Sequence, residues 1–187
     1  SLHRADVEPL CQPCHNMKPT EKQVIDVPDK DNACYSCHKR MGNQKFVHGP
    51  VGTYSCIHCH PLKSVPKYAV RQREAKLCFE CHDDLQKKIA TAKVKHQPAE
   101  NGECTSCHSP HYAPNTNLLA RVGLPLCAEC HDDLTGKLTT AKVKHQPVEN
   151  GECTSCHNPH QSDQKKLLVK PDGKLCAECH EDIPQQL

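Results

Sequence analysis

The chain has 187 residues, no Trp, and 24 Lys and Arg against 22 Asp and Glu, for a formal charge of +2. Leu, Ile, Val and Phe make up only about 18% of it, too little apolar surface to offset the entropy of ordering the backbone. Mixed charges without aromatic platforms give nucleic-acid binding no support, and no run of 18 apolar residues exists to form a transmembrane helix. The compensating excess is 16 Cys and 15 His, so something other than aliphatic side chains has to form the core.

The chain divides into four repeats of one single domain, about 1–45, 46–93, 94–142 and 143–187. Each has a His eight positions before a C-x-x-C-H, then a spacer, then a second C-x-x-C-H. The first repeat has His3, Cys11-x-x-Cys14-His15 and Cys34-x-x-Cys37-His38. The second has His48, Cys56-x-x-Cys59-His60 and Cys78-x-x-Cys81-His82, with an extra His58 inside its first motif. The third has His96, Cys104-x-x-Cys107-His108 and Cys127-x-x-Cys130-His131, and adds His111 in a C-H-x-P-H run. The fourth has His145, Cys153-x-x-Cys156-His157 and Cys176-x-x-Cys179-His180, with His160 matching His111. Short helices are expected around the second motifs, where apolar residues run into Asp and Glu, continuing over Leu85–Val94 and Leu134–Val143. Asn101-Gly102 and Asn150-Gly151 mark turns, and 15 Pro keep the rest short. The expected fold is mostly irregular coil with short α-helices and little or no β-sheet.

C-x-x-C-H is the attachment signature of haem c. Two thiols three positions apart reach the two vinyl groups of a porphyrin, and the next residue offers its imidazole to the iron. Zinc is the main competitor, because successive pairs fall inside the zinc-ribbon window. Four thiolates would close that tetrahedron without any His, yet His follows all eight pairs. Disulfides and iron–sulfur clusters also leave that His unexplained. Eight covalent haems are therefore expected, with about 23 residues of chain each, so that porphyrins pack on one another and supply the core.

The eight proximal ligands are then His15, His38, His60, His82, His108, His131, His157 and His180. Seven His remain as distal ligands: His3, His48, His58, His96, His111, His145 and His160. Lys18 and Lys63 stand where His111 and His160 stand in the later repeats. His58 is expected to replace the missing ligand of the second repeat, leaving the first repeat with one incomplete iron. Bis-His haems are saturated and suited to low-potential electron transfer, whereas an open iron can bind a small molecule.

The run H-x-P-V/A-x-N-G-x-C-x-x-C-H-x-P-H, followed by L-C-x-x-C-H, resembles the doubled-CxxCH multihaem cytochromes along essentially the whole chain. The resemblance implies a continuous chain of bis-His haems in a periplasmic carrier, a conduit or an extracellular filament, with His3 as a ligand for the next subunit. The function expected is electron transfer between redox donor and acceptor proteins or extracellular acceptors, as a filament subunit and possible homopolymer. The alternatives are a discrete periplasmic carrier and, further off, a small reductase using the first repeat. No catalytic residue is expected. The chain opens at Ser1 directly into the first motif region, as a processed chain does, and haem attachment outside the cytoplasmic membrane implies a periplasmic or extracellular location.

Overall fold

A computed structural model describes residues 44–66, 69–73 and 75–180, together with Cys34, His38, Lys39 and Met41. Irregular chain and short helices dominate it, as the composition predicts. In the second repeat, strand β1 (Phe46–Val47) leads to helices α1 (Gly49–Gly52), α2 (Cys56–Cys59), α3 (Ala75–Cys78) and α4 (Asp83–Thr91). The third repeat has β2 (Val94–Lys95), α5 (Gln97–Asn101), β3 (Tyr112–Ala113), α6 (Leu124–Cys127) and α7 (Asp132–Thr140). The fourth has α8 (Gln146–Glu149), β4 (Gln161–Ser162) and α9 (Asp172–Cys176), and 3-10 turns fill the gaps at 104–106, 116–118, 153–155 and 165–167.

Helices α4 and α7 have two Asp in the first turn, where the helix dipole favours negative charge. Each also has an Asp–Lys pair at i,i+4, Asp83–Lys87 and Asp133–Lys137. Both helices stop three residues short of their expected ends. The cause is visible in the third repeat: Ala92 turns extended so that Val94 can enter a strand.

The strands are only two residues long, yet they set the architecture. β1 pairs antiparallel with β3 (Phe46↔Ala113, Val47↔Tyr112), and β2 with β4 (Val94↔Ser162, Lys95↔Gln161). In each case the start of one repeat is stitched to the C-H-x-P-H segment of the next. The Asn-Gly turns make the second stitch. Gly102, at φ +79°, approaches Ala75 so closely that a Cβ would lie 2.6 Å from the Ala75 Cβ. Gly151, at φ +73°, sits against Gly123 and Leu124, where a Cβ would lie 3.0 Å from the Leu124 nitrogen. Both turns thus seat on the helix that opens the second motif of the preceding repeat.

Almost nothing is buried. Among the described residues only Ile89 and Ala113 form a buried apolar core, with Ser162 as a buried polar group. The described polypeptide therefore has almost no apolar core of its own.

Candidate haem-binding array

In seven C-x-x-C-H motifs the first Cys and the His are described, and all seven share one hydrogen bond of a helical turn. The His N–H donates to the carbonyl of the first Cys at 2.9–3.0 Å, from His38→Cys34 through His180→Cys176. Residues i, i+3 and i+4 of such a turn share one face, so both thiols and the imidazole are presented together. None of the described Cys is in a disulfide. No three described His, Cys, Asp or Glu side chains converge on one point, so a four-thiolate zinc site has no counterpart among them.

The imidazoles meet in pairs. His48 faces His82 with ring centres 6.2 Å apart, and His96 faces His131 at the same distance. His60 faces His111, and His108 faces His160, both at 6.0 Å. His145 faces His180 at 6.1 Å. Interplanar angles run from 14° to 26°. Direct ring stacking would be closer. A metal–imidazole bond of about 2 Å, with ring nitrogens about 1 Å from the ring centre, places two imidazoles on opposite sides of one ion about 6 Å apart. The spacing therefore fits one iron between each pair.

Hydrogen bonds orient several of these rings. Nδ1–H of His48 donates to the Pro110 carbonyl at 2.9 Å, and that of His96 to Pro159 at 2.8 Å. His108 and His157 donate from Nδ1 to the carbonyls of Asn117 and Lys166, both at 2.8 Å. A carbonyl only accepts, so in each ring Nδ1 holds the proton and Nε2 keeps its lone pair for a metal. Asn117 and Lys166 both lie at positive φ, followed by Leu118 and Leu167 in the same unusual region. These left-handed turns aim the carbonyl at the proximal ring and hold it there through short β-bridges, His108↔Leu119 and His157↔Leu168. Burial and the neighbouring His60 and His48 rings lower the pKa of His111. Burial, His108 and His96 do the same for His160, which favours the neutral, ligating form.

The thiols link one motif to the next. Cys34 hydrogen-bonds Cys56, Cys78 bonds Cys104, and Cys127 bonds Cys153. Burial first, and the neighbouring thiol second, push Cys78 and Cys127 up to about 11. Within a repeat, Cys59 feels Cys81, and Cys107 feels Cys130, again after burial as the larger cause of a raised pKa. Ion pairs Arg71–Glu80, Arg121–Glu129 and Lys170–Glu178 tie the two halves of the second, third and fourth repeats together. The attachment edges of successive motifs are thus adjacent from Cys34 through Cys153, alternating between first-Cys and second-Cys contacts.

The pairing register differs from a scheme in which each repeat completes its own irons. The upstream His of a repeat faces the second proximal His of that same repeat. The C-H-x-P-H His faces the first proximal His of the preceding repeat. His111 therefore faces His60, and the second repeat has both proximal rings opposed without His58. His58 instead accepts a 3.3 Å hydrogen bond from Arg71 at Nε2. His157 faces no imidazole among the described residues. His3, Cys11, Cys14, His15 and Cys37 lie outside the described residues. Sequence reasoning missed the carbonyls of Pro110, Pro159, Asn117 and Lys166. The repeated Pro-His and x-Leu-Leu steps were their only signal.

The family model for the doubled CXXCH motif matches residues 48–87, 96–136 and 145–185, well over half of the chain. The chain belongs to the doubled-CXXCH family. Its motifs indicate covalently bound haem c, and its family that of multihaem c-type cytochromes acting in electron transfer. The three matched stretches begin at His48, His96 and His145, the upstream His of each structural repeat. No curated protein matches the chain. No helix among the described residues is long and apolar enough to cross a membrane.

Proposed function

We propose that this doubled-CXXCH protein carries eight covalent haems c, most of them bis-His, and passes electrons along them without substrate chemistry of its own. The observation that carries the reading is the set of five facing imidazole pairs at 6.0–6.2 Å. The bound haems supply one-electron redox chemistry at the iron. The chain's own residues orient and space them. Nδ1–H donation fixes which ring nitrogen faces the iron, and the Cys34–Cys56, Cys78–Cys104 and Cys127–Cys153 contacts bring attachment edges of neighbouring repeats together.

In this reading the pairs are His48–His82, His60–His111, His96–His131, His108–His160 and His145–His180. Extending the register gives His3 to His38, by the same spacing that gives His96 to His131 and His145 to His180. The protein works outside the cytoplasmic membrane, in the periplasm or beyond the cell, between redox partner proteins or extracellular acceptors. The linear repeat and its high motif density favour a place in an extracellular cytochrome filament over a discrete carrier. Intact mass should show eight haems per chain, and EPR should be dominated by low-spin ferric signals. A count of four or fewer, or mostly high-spin iron, would sink the proposal. Negative-stain microscopy separates filaments from single particles.

A further inference from the structure

The Pro-His step after a first motif touches two imidazole pairs at once, and it does so twice among the described residues. In the fourth repeat, two successive carbonyls of the step grip one His of the third. His96 N–H donates to the His160 carbonyl at 3.0 Å, and His96 Nδ1–H donates to the Pro159 carbonyl at 2.8 Å. His96 belongs to the His131 pair. The His160 ring goes to a different partner, His108, at 6.0 Å. One dipeptide therefore offers a ring to the His108 iron and a carbonyl to the distal ring of the His131 iron. Pro110-His111 repeats the arrangement on the second repeat. There His48 donates to the His111 and Pro110 carbonyls, both at 2.9 Å, while His111 faces His60.

The residue before each step fixes where the step sits. Pro has no N–H and a locked φ, and it confines the residue before it to extended backbone. Asn158, in that place in the fourth repeat, is braced on both sides. Its N–H donates at 2.8 Å to the carbonyl of Leu167, in the left-handed turn of Lys166 and Leu167. Its Oδ1 accepts from the His160 N–H at 3.0 Å and from the Gln161 N–H at 3.3 Å. An Asn side chain that accepts from backbone N–H groups just ahead of it is a local turn brace. In the third repeat Ser109 makes the same N–H bond, to Leu118 at 2.8 Å. Its shorter side chain accepts from the Tyr112 N–H at 3.4 Å, a weaker hold.

We infer that Asn158 is a positioning residue for two haems, those of the His108–His160 and His96–His131 pairs, whose potentials it sets together through the Pro159-His160 step. Ser109 has the same part for the His60–His111 and His48–His82 haems, with the looser hold. The physical link is the ring hydrogen bond. Donation from Nδ1–H to a carbonyl makes an imidazole a stronger ligand, which favours ferric over ferrous iron and lowers the potential. A step that shifts without its brace lengthens the Pro159 bond to His96 and turns the His160 ring in the same motion, so both irons respond. The inference rests on the haem reading above.

The test is Asn158→Ala in the haem-loaded 187-residue protein, read by redox titration followed by EPR. Two low-spin haems should move to higher potential while the others stay. For the His131 haem the ferric-to-ferrous ratio at a fixed potential should fall about tenfold, a rise of about 59 mV. Asn158→Ser, which copies Ser109, should restore part of the shift. In a His96→Ala background the His131 iron has lost its distal ring, so Asn158→Ala should move one low-spin haem instead of two. A His160→Ala background should likewise leave one, that of His131. Low-spin haems that all keep their potentials overturn the inference. A shift spread over more than two haems also overturns it, as does one that still moves two in either background, because a loosened fold would behave so. Peptide mapping that finds no haem on Cys104, Cys107, Cys127 and Cys130 overturns the haem reading itself, and this inference with it.

Discussion

His160→Ala removes one imidazole and little else. The His160 ring lies 6.0 Å from His108, but the strand that carries it is held by main-chain bonds: β4 on β2, and the His96 N–H on the His160 carbonyl. Pro159 still accepts from His96 Nδ1, so the His96–His131 pair keeps its geometry. On the eight-haem reading, one more iron then has an open sixth position. About one eighth of the ferric spectrum should move from low to high spin, and carbon monoxide uptake by the reduced protein should rise by one per chain. His111→Ala should do the same for the His60 iron. The two pairs share no ligand, so the double variant should take up two extra carbon monoxide molecules. EPR and carbon monoxide titration of the three variants make the measurement. If His160→Ala leaves both spin state and stoichiometry unchanged, the staggered register is wrong.

Four further outcomes follow from the same geometry. His3→Ala should open the His38 iron in dilute, unassembled protein; unaltered spin with lost assembly would instead give His3 to a neighbouring subunit. Gly102→Ala places a Cβ 2.6 Å from the Ala75 Cβ at a φ of +79°. It should destabilise the fold by about 2 kcal/mol or more, seen as a lower denaturant midpoint. Lys166→Asn, which copies Asn117 at the matching left-handed position, should stabilise the fold by up to about 1 kcal/mol and raise that midpoint. Protein made without haem attachment should show no cooperative unfolding transition by circular dichroism, because Ile89 and Ala113 are all the buried apolar core described.

Much of this was legible in the sequence, because the information is covalent and periodic. The spacing Cys, Cys, His at i, i+3 and i+4 fits one helical turn, and that turn recurs in all seven described motifs. The poverty of Leu, Ile, Val and Phe announced a chain without its own core. The ligand register was not legible. His111 and His160 stand three residues after a proximal His, so sequence adjacency suggests that they serve their own repeat. Just after these residues, however, the chain is extended as strand rather than helix, and β3 and β4 pair with the preceding repeat. The short strands were below the reach of any pattern: two residues cannot show alternation. The clips at Asn117 and Lys166 depend on positive φ at ordinary residues, which Lys166 and Leu167 do not advertise.

The stagger explains why the chain can be so thin. If every repeat completed its own irons, neighbouring repeats would be joined only by the chain itself, the two-residue strands and the glycine contacts. Because the x-Pro-His segment reaches back, the first-motif irons at His60 and His108 would each be bound by two repeats at once. Metal–ligand bonds, the two-residue strands and the Gly102 and Gly151 contacts then all cross the same boundary. The boundary between repeats becomes the tightest part of the molecule, and it is also where Cys78 meets Cys104 and Cys127 meets Cys153. Electron transfer slows steeply with distance, so the junction that most needs fixed spacing is the one that the fold ties three ways.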